Sequence, residues 1–194
     1  MDKRTWLAAL ALLAASGAAQ AGGSVSGAIG WRQLRGAQWD RLGADGQPLA
    51  GMLADIRIGQ TPLYGLVGVQ VSSRELDDRP EYGFYDGSIA AVDFSAGLKL
   101  MRPQGLFRPY LAAGVTSTGV AIEYEDDYHD DHDDSDQAFG YFVAGGAQFR
   151  VARHFVAGFD LRWILGTEQV DLDGLRDDAD SFVAAATFGY AWGE

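Results

Sequence analysis

Apolar and polar residues alternate with a period of two through eight separate segments of this chain, near 24–35, 49–58, 63–73, 89–101, 110–122, 138–149, 155–167 and 181–192. That period belongs to the β-strand, whose side chains point to opposite faces in turn. The links between them, 36–48, 59–62, 74–88, 102–109, 123–137, 150–154 and 168–180, are long and short in strict alternation. Such a pattern predicts an up-and-down antiparallel meander with every long loop at one end. The expected fold is all-β, an antiparallel β-barrel of eight strands forming one domain over residues 22–194.

Alternation also assigns faces. In the seventh segment Phe155, Ala157, Phe159, Leu161, Trp163 and Leu165 share one side, opposite Gly158, Asp160, Arg162 and Gly166. The fourth sets Val92, Phe94, Ala96, Leu98 and Leu100 against Asp93, Ser95, Gly97 and Lys99. In the fifth, Thr116 to Thr118 blurs the pattern, which points to a bulge there. Size decides which face is inside. Eight strands enclose an interior just wide enough for side chains. The face rich in Gly, Ala and Ser fits that space; the face crowded with Phe, Trp, Leu and Ile does not. The apolar face therefore points outward into lipid, giving a transmembrane barrel; a secreted soluble barrel would reverse the faces.

Charges on the inner face follow the same logic. A Lys or Arg facing lipid at mid-depth costs about 2–4 kcal/mol. Arg32, Arg57, Lys99, Arg150 and Arg162 are thus expected to interlock in the lumen with Asp55, Asp93 and Asp160. Aromatic residues fall near both strand ends: Trp31, Phe139, Tyr141 and Trp163 towards the long loops, Phe149, Phe155, Tyr190 and Trp192 towards the short turns. Two such rings are the interfacial girdles of a membrane barrel.

Residues 1–21 are read as a cleaved signal peptide. Lys3 and Arg4 precede an apolar run from Trp6 to Ala15, and Ala19-Gln20-Ala21 supplies the small-x-small cleavage pattern. Removing Asp2, Lys3 and Arg4 takes the net charge from −12 to −13. An acidic chain of this kind is not expected to bind nucleic acid, whose phosphates call for a basic patch. The sequence contains 0 Cys, which excludes disulfides, thiol catalysis and a lipidated N-terminal Cys.

The acidity is concentrated. Glu123, Glu125, Asp126, Asp127, Asp130, Asp131, Asp133, Asp134 and Asp136 lie in one stretch with His129 and His132. On this topology the stretch is the third long loop, a solvated acidic surface segment. Its carboxylates suit weak binding of Ca²⁺ or another divalent cation, with the two His adding affinity for Zn²⁺, Cu²⁺ or Ni²⁺. No Gly sits where an EF-hand loop needs its sharp turn, and no resident cofactor is expected. The short links carry Arg102, Arg108, Arg150, Arg153 and His154 without an acidic residue, a polarity suited to anionic head groups on the inner side.

The runs Phe107-Arg-Pro-Tyr-Leu-Ala-Ala-Gly-Val115, Gly145-Gly-Ala-Gln-Phe-Arg-Val-Ala-Arg-His-Phe155 and Phe188-Gly-Tyr-Ala-Trp192 resemble the small eight-stranded outer-membrane barrels of Gram-negative bacteria. That group contains OmpX, OmpW and the opacity-type surface proteins, and the resemblance covers the whole of 22–194. It implies residence in the cell outer membrane as a monomer, among lipid and lipopolysaccharide, after insertion by the barrel assembly machinery. Its motifs specify fold more than activity. Some barrels of this size modify lipid A, a chemistry that needs a Ser beside a His able to take its proton. His129 or His132 with Ser135, Ser73 or Ser88 are the surface-side candidates, and none lies on a rigid strand end. The expected role is therefore structural or surface-interacting, around a largely plugged lumen. A narrow channel for small or apolar solutes is the alternative, and a lipid A-modifying enzyme a weaker one.

Overall fold

The computed structural model describes residues 22–36, 39, 45–76, 87–125, 131–167, 169–172 and 175–193. The segment read as a signal peptide lies outside them. Ten strands follow one another: β1 (Gly23–Leu34), β2 (Gly46–Arg57), β3 (Leu63–Leu76), β4 (Gly87–Met101), β5 (Phe107–Glu125), β6 (Asp131–Arg150), β7 (Phe155–Leu165), β8 (Gln169–Leu172), β9 (Leu175–Asp178) and β10 (Ser181–Trp192). Eight close into a barrel in the order β1-β10-β7-β6-β5-β4-β3-β2, while β8 and β9 form a separate two-stranded hairpin. Every neighbouring pair is antiparallel, and the sheet closes where Gly23 meets Trp192 and Leu34 meets Ser181.

The registers fix the shape. Paired residues followed once round the barrel from Gly23 pass through Ile56, Gly65, Leu98, Ala113, Val143, Trp163 and Phe182. The path returns to β1 at Gln33, displaced ten residues along the strand. Eight strands with that stagger are tilted by about 40° from the barrel axis.

Burial follows the alternation. Inward positions such as Ala28, Leu66, Asp93, Ala112 and Phe142 are buried, while Ile29, Phe94, Leu111 and Phe188 are exposed at 60% or more. These outward side chains form the lipid-facing coat. Trp31, Phe139, Tyr141 and Trp163 mark its outer edge, and Phe149, Phe155 and Tyr190 its inner edge. Tyr141 and Phe149 lie eight residues apart on β6. At this tilt they are about 20 Å apart along the axis, close to the apolar band of a membrane barrel.

The narrow interior is filled by pairing large residues with small ones. Phe142 of β6 lies over Gly114 of β5 and reaches Gly97 of β4. A Cβ on Gly114 would lie 2.2 Å from the Ala96 carbonyl oxygen and 2.7 Å from the Phe142 ring. Leu66, Ala112, Ala144 and Ile164 complete that cluster.

Four sequence expectations are corrected here. No bulge interrupts Thr116–Thr118: β5 pairs residue for residue with β4 and β6, and both threonines are buried inward. The blurred pattern arises because Ser117, on the lipid side, bonds the Gln137 side chain near the outer edge instead of meeting acyl chains. β5 begins at Phe107, not 110, since Pro109 sits within the strand and pairs with Ala147. The stretch 123–137 is not a loop throughout, because β5 and β6 continue outward until Glu125 faces Asp131. The segment 168–180, expected to be a plain loop, contains the β8–β9 hairpin.

At the outer end the first long connection is joined to the segment between β7 and β10. The Trp39 indole, 1% exposed, donates from Nε1 to the Asp178 carbonyl at 2.9 Å. Arg35 N–H donates to the Asp180 carbonyl at 2.7 Å. The Asp180 carboxylate accepts from both the backbone and the hydroxyl of Thr167. On the opposite side the turns are tight: the Arg57 guanidinium donates to the carbonyls of Gln60 and Thr61, and Gly59 takes φ +62°.

Replacing Gly114 with Val forces the added carbons into Ala96 and Phe142. Overpacking of this kind costs about 1–3 kcal/mol or more. The Gly114→Val protein is expected to unfold at lower urea in detergent micelles, read by loss of the gel-mobility shift between folded and heated barrel. Wild-type stability in that variant would show that the β4–β6 wall is loosely packed.

Candidate functional site

Among the described residues, buried charged and polar side chains are concentrated in the lumen. At the outer level Arg32 of β1 spans the interior to pair with Asp93 of β4, and both are buried. Thr118 donates its hydroxyl to Asp93 at 2.8 Å. Above them Ser72 donates to Gln47 at 2.7 Å, and Arg74 donates to the Gly46 carbonyl at 2.8 Å.

In the middle, Arg162 of β7 donates to Ser95 at 2.9 Å, crossing to the same strand that carries Asp93. Its guanidinium lies over the Phe142 ring, 4.7 Å from the centroid, and its Nε is 3.3 Å from Asp160. The face of an aromatic ring attracts a cation, and the attraction grows when water is excluded. Phe142 is therefore both filler and partner.

Nearer the turns, Lys99 of β4 pairs with Asp55 of β2 at 2.7 Å and sits 4.3 Å over the Tyr110 ring. Ser24 donates to the same carboxylate at 3.1 Å. Tyr110 donates its hydroxyl to Asp160 at 2.6 Å, tying this level to the one above. Below it Arg108 donates to Gln148 at 2.9 Å, and Gln148 reaches towards Ser24 and Asp55 at 3.5 Å. Tyr64, Met101 and Tyr110 pack together at the inner end.

Six of the eight residues assigned to the lumen from sequence are thus brought together there: Arg32, Asp55, Asp93, Lys99, Asp160 and Arg162. Arg57 is not. It has the right parity, but β2 ends at it and its side chain closes the turn. Arg150 lies at the end of β6, half-buried at the rim. Arg108 is the reverse case, read as a turn residue yet fully buried inside. Extending the β5 alternation two residues back through Pro109 places it inward. Tyr110, Gln47, Gln70 and Thr118 complete the polar lumen, and their uncharged side chains gave no charge signal to find.

The acidic stretch divides differently. Asp126, Asp127, His129 and Asp130 lie outside the described residues. Glu123 and Glu125 belong to β5; Asp131, His132, Asp133, Asp134 and Asp136 belong to β6. Ser135 and Ser73 are exposed and Ser88 is half-buried. Among the described residues no three metal-ligating side chains converge on one point.

An apolar coat between two aromatic rings, around a lumen crossed by buried ion pairs, defines a small closed transmembrane β-barrel. The family model described as "Outer membrane protein beta-barrel domain" matches residues 5–193, and the chain belongs to that family. Its location is the bacterial outer membrane. Solved barrels share the fold at low identity. A major outer membrane protein from Thermus thermophilus superposes with a TM-score of 0.62 at 14% identity, covering 89% of this chain and 100% of its own. The attachment invasion locus protein Ail of Yersinia pestis gives 0.59 at 12%, covering 89% and 99%. OprG of Pseudomonas aeruginosa gives 0.55 at 13%, covering 89% and 97%. No curated protein matches the chain in sequence.

The Asp55–Lys99 pair offers a direct measurement of the lumen network. Removing one partner of a buried pair costs about 3–5 kcal/mol, because the other charge is stranded. Asp55→Asn and Lys99→Met are each expected to destabilise the barrel by that amount. The double variant is expected to recover most of the loss in a double-mutant cycle. Additive losses would show that the two side chains act independently.

Proposed function

We propose that this protein is a closed barrel acting through its outer surface, not through its lumen. The observation that supports this reading is the set of cross-lumen pairs: Arg32 with Asp93, Arg162 with Ser95, and Lys99 with Asp55 block the interior at successive levels. A solute passing through would have to break buried charge pairs without water to replace them. In planar lipid bilayers the purified protein is expected to give no steady single-channel openings. Steady openings would replace this reading with that of a narrow channel. An unchanged lipid A acyl count in an overexpressing strain is the matching expectation against a lipid A-modifying activity.

The projecting β5–β6 hairpin carries the outward contact. At the outer aromatic ring Ser117 stands opposite Phe139, and beyond it Gln137 and Ser135 lead into the acidic run. Its carboxylates concentrate divalent cations weakly, which bridges the hairpin to lipopolysaccharide phosphates. Isothermal titration with Ca²⁺ and Zn²⁺ is expected to release more heat for the full chain than for one lacking 125–136. Equal heats would end the cation reading. Ail has been crystallised with the heparin analogue sucrose octasulfate. The acidic hairpin here disfavours such a polyanion, since like charges at close range repel.

A further inference from the structure

Three buried side chains in the outer half of the lumen have hydrogen-bonding groups that the network leaves unused. Arg32 has no partner for Nε or Nη1, Arg162 has none for Nη2, and neither end of the Gln70 carboxamide is bonded among the described residues. All three side chains are 0–1% exposed, so bulk water does not satisfy them. Leaving a buried polar group unbonded costs about 1–3 kcal/mol, and more for a charged one.

These groups belong to neighbouring positions of one level of the lumen. Arg32 reaches Asp93, and Arg162 reaches Ser95, two residues further along β4. Gln70 is the direct β3 neighbour of Asp93. Its stem lies so close over Gly51 of β2 that a Cβ there would be 2.8 Å from Gln70 Cγ. The Gln70 stem thereby leans towards β2, the strand next to β1. Asp93 and Ser95 share the inner face of β4 one side-chain step apart, about 7 Å, so the two guanidinium heads are held at neighbouring positions. The carboxylate at this level is Asp93, already shared with Thr118. Asp160 approaches Arg162 from the turn side and accepts the Tyr110 hydroxyl with its other oxygen.

We infer that the outer lumen is a binding site for one small inorganic anion of the halide class, held between Arg32, Arg162 and the Gln70 amide. Such an anion offsets the repulsion between the two guanidiniums and takes up their unused N–H donors. A halide fits because it accepts hydrogen bonds from any direction and carries a single charge. Phosphate or sulfate would bring Asp93 against a second, bulkier anion. The site holds whether or not the barrel conducts.

Crystals of the refolded full chain soaked in sodium bromide provide the test. Wild-type crystals are expected to show a bromine anomalous peak touching both guanidiniums, and Arg162→Met crystals none. Density of water weight without anomalous signal in the wild type would overturn the assignment. Because Arg162→Met removes a buried ion as well, Gln70→Leu serves as the second variant. In micelles the wild-type unfolding midpoint is expected to rise saturably with bromide over gluconate at equal ionic strength, and to rise less in Gln70→Leu. The same rise in both proteins would reduce the effect to general salt and overturn the site.

Discussion

Within hydrocarbon there is no water to bond a free N–H or C=O, so a sheet that enters a bilayer must have no edge. Everything else about this chain follows from that demand. The last strand has to reach the first, which it does from Gly23 against Trp192 to Leu34 against Ser181. Closing eight strands with a ten-residue stagger sets the tilt and the radius together. The radius in turn leaves an interior too narrow for both walls to carry large side chains. Phe142 can lie inside because Gly97 and Gly114 stand opposite.

The same narrowness explains how charge is tolerated at the centre of a membrane protein. Arg32, Lys99 and Arg162 are long enough to cross the interior, so each reaches a partner on a different strand. Their stems fill space as they cross, and their heads join strands far apart in sequence. The pairs are therefore packing elements as well as ionic ones. Burying an ion pair is often no better than burying apolar residues of similar volume. What the pairs supply here is a fixed arrangement across the lumen, since each cation has a specific partner to find.

Much of this was legible in the chain because a strand has an exact two-residue period and a membrane barrel has only two faces. Parity put Asp93, Lys99, Asp160 and Arg162 on one face, and the width of an eight-stranded barrel put that face inside. It failed where a strand end could not be located. Arg57 has lumen parity but is the last residue of β2, and the turn carbonyls claim it first. Arg108 was missed because Pro109 resembles a turn marker, although a proline near the start of a strand forfeits little pairing. The acidic run reads as loop because β-propensity is weak for Asp and Glu. The ladder of β5 overrides that preference and carries β6 out to Asp131. Polar but uncharged lumen residues such as Gln70 and Tyr110 become recognisable only once the strands surround a common axis.

The Trp39 clasp lies beside the junction between the first strand and the last. Its indole and the Arg35 amide both bind the segment that leads directly into β10. The β1–β10 junction unites residues separated by nearly the whole chain, so its loop-closure entropy is the largest in the fold. A junction of that kind forms late and is the natural line along which a barrel would part. The clasp fastens its outer end with contacts independent of the ladder, so opening from that end requires the outer loops to separate as well. At the inner end the two strands meet through the ladder itself, Gly23 against Trp192, with the Trp192 ring lying over Gly23. The seam is thus asymmetric, and fraying should start on the side of the short turns.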